Sequence, residues 1–492
     1  MASFNLLADP WIPCLRHNGA VARLGALDAL ADAESIRDVA ASNPMDRLAV
    51  IRFLLALVYW CRGNPENDPA NTAGTLPGPW FDKARDHMES FALFGDGPRF
   101  FQAKDSKART ITANYLFQEI PTGTNLAHFR HTRDGRDGLC PACCALGLVR
   151  LPLFTTQGGA GKSPGINGKP PIYAIRLGGS LLETLKLNWL PVGSIGRPSW
   201  AGVASPNGLG PVVPLLTGLT HVPRRVWLSD PTASGDRCLG CGQPGALVRE
   251  MVFAGLGSSK PSPGSVAPQW DEPFALHPSP STRAPVAHGL DPFAKTRADG
   301  HGRWASQWAG MVSLGAAKQT RRAQVPPAAQ PPSDRTDQSQ QLWIVSFATD
   351  QAAYYDVTEY CMEVPPTADG QVDLERQAER WRQEGNRIAA RAASASGRPA
   401  KHRNSDVLAA VGAVRDAIEA EVGRGVASAT ALDWSAFAGR YRGLMQAIGQ
   451  SLAPGVTSVA LRSKDGLGRI APAMDIPSAK AHAPSAPTVG GT

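Results

Sequence analysis

Apolar positions recur at helical spacing early in the chain. Between Pro44 and Arg62, Leu48, Ile51, Leu54, Leu55 and Val58 fall along one face, while Phe53, Leu57 and Trp60 fill others. That pattern predicts a helix buried on most sides, with Asn43 suited to the N-cap and Pro44 to the first helical position. Similar patterning predicts a helix from Phe81 to about Phe91, stopping before Gly95-Asp96-Gly97-Pro98, and another from Leu181 to Leu190. Gln341 to Ala348 alternates as a strand, and Trp304 and Trp308, at i,i+4, are expected in the core.

After about Pro366 the periodicity turns helical again. Leu374 to Ala395 is Arg-rich and charged; Asn404 or Ser405 caps a segment with Leu408, Val411, Val414 and Ile418 on one face. A third segment starts near Asp433 and carries Phe437, Tyr441, Leu444 and Ile448. Short connections between three amphipathic helices imply an antiparallel bundle. Between the two ends, the stretch from Asn125 to Tyr173 is glycine-rich and polar, Ser258 to Ser281 is dense in Pro and Ser, and Gln324 to Ser333 is a proline-rich linker or exposed loop. The expected architecture is α+β. A large mixed α/β N-terminal domain spans residues 1–365, an antiparallel helical bundle spans 366–452, and a flexible Ala/Pro/Gly-rich tail spans 453–492.

Composition narrows the class of protein. A hydrophobic fraction of 43% argues against wholesale disorder, and a net charge of +8 favours a polyanionic partner, since Lys and Arg release the counterions condensed on phosphates. Met1–Ala8 has no basic n-region, and the longest apolar stretch, Phe53 to Cys61, is far short of the roughly 20 residues that span a bilayer. The chain is therefore expected to be soluble and cytoplasmic, with no membrane partner.

The sharpest local signal is Cys140-Pro-Ala-Cys143 with Cys238-Leu-Gly-Cys241. Each CxxC lets two thiolates reach one cation from a tight turn, and two such turns complete a tetrahedral zinc site. Gly240 and Gly242 favour the second knuckle. Four sulfurs leave no open coordination position, so the zinc is expected to be structural, clipping together segments that residues 144–237 separate. A redox CxxC or metal-free core cysteines are the other readings. Cys144 adjoins the site, and Cys14, Cys61 and Cys361 read as lone core residues.

Two loops invite nucleic acid. Gly158-Gly159-Ala160-Gly161-Lys162-Ser163 looks like a P-loop, but the motif requires a glycine where Thr156 stands, and Pro164-Gly165 follows where a helix should begin. A backbone free of side chains suits close approach to another backbone or a DNA groove, with Lys162 and Lys169 supplying charge. His128-Phe129-Arg130-His131-Thr132-Arg133-Asp134-Gly135-Arg136 combines groups that bond phosphate or guanine with groups that stack on bases. No HExxH is present, and His277, His288 and His301 lack ligand spacing, so catalysis is not expected.

In order, these pieces resemble one family, the large (CasA) subunit of the type I-E CRISPR Cascade surveillance complex. Asn5-Leu6-Leu7-Ala8-Asp9-Pro10-Trp11-Ile12-Pro13 resembles its N-terminal signature, and Pro98-Arg99-Phe100-Phe101-Gln102 its Pro-Phe-x-Gln segment. Thr124-Asn125, Cys140/Cys143, Gly158-Gly159 with Lys162-Ser163, and Cys238/Cys241 follow in order. Asp350-Gln351-Ala352 resembles its Asn-Gln-Ala hairpin, with Asp350 standing where the family has Asn.

The resemblance implies a non-catalytic subunit that recognises a short protospacer-adjacent motif (PAM) in double-stranded DNA and starts unwinding for R-loop formation. By similarity, Gly158, Gly159, Ala160, Gly161 and Lys162 lie against the minor groove, Lys260 is the nearest counterpart of a further lysine contact, and Gln351 is a wedge flanked by Asp350 and Ala352. His128, Phe129, Arg130, His131 and Arg133 contact the guide RNA or neighbouring subunits. Implied partners are the backbone, guide 5′-end-capping and small subunits, the CRISPR guide RNA, the DNA target and a recruited helicase-nuclease. The rivals are a nucleotide-dependent enzyme built on Gly161-Lys162-Ser163 and a stand-alone zinc-stapled RNA-binding or scaffold protein.

Overall fold

The computed structural model describes residues 3–63, 76–117, 138–155, 165–167, 172–189, 195–202, 212–233, 235–256, 270, 272–276, 340–350 and 353–364. The helical bundle and tail expected beyond residue 365, and Trp304 and Trp308, lie outside these residues. Three antiparallel sheets surround a central helix, a mixed α/β arrangement. The first sheet has strand order β2-β1-β3, from β1 (Ile12–Arg16), β2 (Val21–Leu24) and β3 (Ile36–Val39), with α1 (Ala26–Ala31) between the last two.

The central helix, α2 (Pro44–Arg62), starts and stops where its sequence dictates. Asn43 is extended (φ −104°) and its side chain accepts from the Met45 amide at 2.9 Å; Pro44 occupies the first turn, where no amide is needed. Gly63 ends it with φ +76°, a left-handed cap that glycine adopts without a Cβ penalty. Every residue from Leu48 to Trp60 is buried, so the helix is enclosed all round rather than amphipathic. Trp11, Phe53, Phe91, Phe100 and Trp200 pack about its flank, with neighbouring ring centroids 5.5–5.9 Å apart.

The helix expected over Phe81–Phe91 is instead three short pieces: a 3₁₀ turn (Gly78–Phe81), α3 (Asp82–Arg85) and a second 3₁₀ turn (Met88–Phe91). None of the three starts has a side-chain cap, and the breaks let Phe81, Ala84 and Phe91 all turn inward. Further on lie β4 (Thr110–Thr112), α4 (Pro141–Phe154), β5 (Ile172–Leu177) and α5 (Leu181–Leu187). Ser180 caps α5: its hydroxyl accepts from the Glu183 amide at 3.2 Å, and Glu183 Oε2 accepts from the Gly179 amide, just before the cap, at 2.7 Å.

The remaining elements are α6 (Leu215–Leu219), β6 (Arg224–Leu228), β7 (Glu250–Gly255), β8 (Ala275–Leu276), β9 (Gln340–Asp350) and β10 (Ala353–Val364), and they complete sheets ordered β4-β7-β6 and β10-β9-β5-β8. The alternating run around Leu342–Phe347 is thus part of a strand longer than predicted. β9 and β10 pair along their lengths and close with Asp350 opposite Ala353. Trp343, Val345 and Phe347 anchor that hairpin in the core; Phe347 lies 4.9 Å from Phe154 between centroids, and Arg47 lies 4.1 Å from the Trp343 ring centroid.

Cys361 does not join the core. It sits on the edge strand β10 and is exposed. Cys14 is buried and Cys61 half-buried.

Candidate metal centre

The two cysteine pairs meet because backbone pairing brings their segments together first. Leu139 exchanges hydrogen bonds with Val248 at 2.9 and 2.8 Å, and the Leu239 amide donates to the Gly138 carbonyl at 3.0 Å. Cys140 caps α4, with Pro141 at the first helical position, and Cys143 falls within the first turn. A helix N-terminus stabilises thiolates, since its unpaired amides and dipole favour negative charge. α4 is itself fixed to α2 by a buried ion pair between Arg150 and Asp46.

The second knuckle is a tight turn in which the Gly242 amide donates to the Cys238 carbonyl at 2.8 Å, with Gly242 at φ +72°. Gly240 is required there: a Cβ at this position would stand 2.9 Å from Cys143 Sγ. Cys140, Cys143, Cys238 and Cys241 consequently place their Sγ atoms within 4.8 Å of one another. Cys140 and Cys241 sulfurs are 3.7 Å apart, and the Cys140 amide donates to Cys238 Sγ at 3.2 Å.

These distances fit a metal. A tetrahedron with Zn–S bonds of about 2.3 Å has sulfur–sulfur edges of about 3.8 Å. A disulfide would require about 2.05 Å, and all four cysteines are free. Cys144 is outside the set, its thiol lying 3.8 Å from the Leu139 carbonyl, and complete burial pushes its pKa up.

The sulfurs are strongly coupled. Hydrogen bonds to Cys140, Cys238 and Cys241, reinforced by burial, push the Cys143 thiol up. Bonds from Cys140 and Cys143 pull Cys238 down, and the bond from Cys143 pulls Cys241 down to about 5 despite burial. One divalent cation could be held by all four as thiolates.

His128, Phe129, Arg130, His131, Arg133, Gly158, Gly159, Ala160, Gly161, Lys162, Lys260, Gln351 and Ala352 lie outside the described residues, and Asp350 is the last residue of β9. The frame around them is described. Thr155 and Gly165, which flank residues 156–164, are joined by a 2.8 Å backbone hydrogen bond. Asn167 donates to Tyr173 Oη at 3.0 Å and to Glu272 Oε2 at 2.9 Å, and accepts from Trp270 Nε1 at 2.8 Å. Glu272 in turn pairs with Arg52 at 2.7 Å.

That buried network was not legible in the sequence. Trp270, Glu272 and Phe274 lie within the Pro/Ser-dense stretch Ser258–Ser281, yet all three are core residues. The aromatic character of Trp270 and Phe274 was the available signal. Among the described residues no helix is long and apolar enough to cross a membrane.

Comparison with known proteins supplies the context for these features. The profile of the family described as CRISPR-associated protein Cse1 matches residues 5–464. The CRISPR-associated protein CasA/Cse1 of Thermus thermophilus is 27% identical over 203 residues, which is 39% of this chain and only 40% of that relative. Among solved structures, CasA of Thermus thermophilus aligns at 17% identity over 96% of this chain and 98% of its own, with a TM-score of 0.66. Cse1 of Thermobifida fusca aligns at 17% identity over 96% of each chain, with a TM-score of 0.62. A chain of a CRISPR RNA-guided surveillance complex aligns at 16% identity over 96% of this chain and all of its own, with a TM-score of 0.70. At such identities the structural likeness establishes the shared fold.

Proposed function

The chain belongs to the CRISPR-associated Cse1 family, and we propose that it is the non-catalytic large subunit of a type I-E CRISPR RNA-guided complex in the cytoplasm. The observation that carries this reading is the family match over residues 5–464, supported by the fold shared with a chain of an RNA-guided surveillance complex. In this reading residues 1–365 form the DNA-reading domain around a structural zinc at Cys140, Cys143, Cys238 and Cys241. Residues 366–452 form the helical bundle, and 453–492 the tail. The partners are the backbone, guide-capping and small subunits, the guide RNA, the double-stranded target and a helicase-nuclease that performs cleavage.

PAM recognition falls to Gly158–Gly161 with Lys162 and Lys260, and loop contacts to the guide fall to His128–Arg133. Unwinding begins at Gln351. The β9–β10 register, Asp350 opposite Ala353, makes Gln351 and Ala352 the two residues that connect a long, core-anchored hairpin. A side chain at this connection is backed by two strands that pair along their lengths. Gln is long and uncharged, and its amide both donates to and accepts from base edges.

Opening one step forfeits about 1.4 kcal/mol of stacking before guide pairing repays it. In a reconstituted complex, Gln351→Ala should therefore slow R-loop formation on fully paired DNA by about tenfold, while PAM-dependent docking is kept. DNA already mismatched at the first guide-paired positions should recover most of the rate. Equal impairment on paired and pre-opened DNA would exclude the wedge.

A further inference from the structure

Asn167 is almost wholly buried, and both ends of its amide are spent on other segments of the chain. Its Nδ2 donates to Glu272 Oε2 at 2.9 Å and to Tyr173 Oη at 3.0 Å, and its Oδ1 accepts from Trp270 Nε1 at 2.8 Å. An indole N–H can only donate and an ionised carboxylate can only accept, so the partners fix which way the amide faces. Arg52 of α2 holds Glu272 in turn, through both carboxylate oxygens.

Each segment held in this way adjoins a stretch to which DNA reading was assigned. Asn167 stands two residues after Gly165, whose amide closes residues 156–164 against the Thr155 carbonyl. Trp270 stands ten residues after Lys260, and its ring is seated on α6, where a Cβ at Gly218 would approach it to 2.2 Å. Tyr173 pairs with Val345 of β9, and its ring centroid lies 6.2 Å from that of Phe347, four residues before Gln351. Phe154, on the other side of residues 156–164, meets the same two rings, with centroids 6.5 Å from Tyr173 and 4.9 Å from Phe347. Apolar packing tolerates small slips of one segment against another. A satisfied buried polar network is stricter, since it specifies one arrangement.

We propose that Asn167 is a positioning residue for DNA reading, holding in one register the bases of three stretches: residues 156–164, the stretch carrying Lys260, and the β9–β10 hairpin that ends at Gln351. The proposal rests on the assignment of PAM recognition and unwinding to those stretches. A functional group set on such a frame keeps its aim only while the supporting hydrogen bonds keep theirs.

The test uses the reconstituted complex and compares its affinity for target duplex with and without the PAM. Asn167→Ala breaks all three links. Trp270→Phe keeps a ring beside Gly218 and removes the indole donor; Tyr173→Phe keeps the ring beside Phe347 and removes the hydroxyl. The ratio of the two affinities should fall roughly tenfold in Asn167→Ala and about threefold in Trp270→Phe. Tyr173→Phe should leave the ratio closer to wild type but slow R-loop formation on paired DNA, with recovery on DNA mismatched at the first guide-paired positions. All are measured well below the melting temperature of each variant, so a folded chain that is merely less stable keeps its ratio. An unchanged ratio in Asn167→Ala overturns the proposal. If that variant does not assemble, an unchanged ratio in Trp270→Phe overturns it instead. Lys162→Ala separates the two levels. A ratio lowered by Lys162→Ala but by neither Asn167→Ala nor Trp270→Phe sinks the positioning role alone, whereas a ratio that none of the three changes removes the assignment of PAM reading as well.

Discussion

The cysteine cluster and the Arg52–Glu272 network both join segments far apart in the chain, but on opposite electrostatic principles. The cluster assembles four like groups whose sulfurs lie within 4.8 Å of one another and could hold a metal ion. The network assembles complementary groups. Arg52 donates through Nη2 and Nε to the two carboxylate oxygens of Glu272 at 2.7 and 3.3 Å, and through Nη1 to the Leu219 carbonyl; Asn167 supplies a further donor to Glu272. Both side chains of the pair are almost wholly buried, yet the charges cancel in place. On the proposed zinc reading one staple is conditional on metal and the other is unconditional, and removing metal should separate them.

The largest effect should come from the conditional staple. Structural zinc contributes an apparent 10–16 kcal/mol, as an order of magnitude of roughly that size, in small zinc modules, and here some of that is expressed as stability of the fold around α4 and the second knuckle. Cys238→Ser should abolish stoichiometric zinc binding and cost more than about 5 kcal/mol. A chelator should lower the melting temperature of the wild type and leave the variant unmoved. Metal analysis with thermal melts, with and without chelator, checks this; a variant that retains one zinc and melts like the wild type refutes it.

Breaking the unconditional staple should cost somewhat less. Glu272→Ala leaves the Arg52 guanidinium buried without its counter-charge, a loss of about 3–5 kcal/mol. Adding Arg52→Met should restore much of it, because removing both charges also removes the desolvation penalty. In denaturant melts the chelator-induced shift should be the same for Glu272→Ala as for the wild type. A larger shift would mean that the two staples are coupled rather than independent.

The two staples also differ in how much of them could be read from the sequence. CxxC spacing is a local pattern with one dominant chemical use, so Cys140, Cys143, Cys238 and Cys241 could be named together before any geometry was known. Arg52, Asn167, Tyr173, Trp270 and Glu272 carry no spacing signature at all; they meet only because β5, α2 and the segment before β8 converge.

The same contrast runs through the elements. α2 was legible because Asn43, Pro44 and Gly63 mark its ends by local chemistry. The helix expected over Phe81–Phe91 was not, because burying Phe81 and Phe91 together is a tertiary demand that overrode a local period.

The smallest effect concerns acid, and it can tell the two staples apart without breaking either. His221 lies two residues beyond Leu219, whose carbonyl accepts from Arg52, so it sits on the ionic side of the comparison. Burial pushes its imidazole down to about 4, against about 6.5 in an unfolded chain. The sign follows from proton counting. Below about pH 6.5 the unfolded chain binds a proton that the folded one refuses, so stability falls as pH drops from there towards 4, and this group contributes no slope above it. Zinc thiolates also lose metal on acidification, which would mask the effect in the wild type alone. Comparing wild type with His221→Gln at saturating zinc, by denaturant melts at pH 7.5 and pH 5, cancels that contribution. The wild type should lose more stability between the two pH values than the variant does. Parallel losses would mean that His221 already accepts its proton in the folded state, and that acid acts on this molecule through the cysteine cluster.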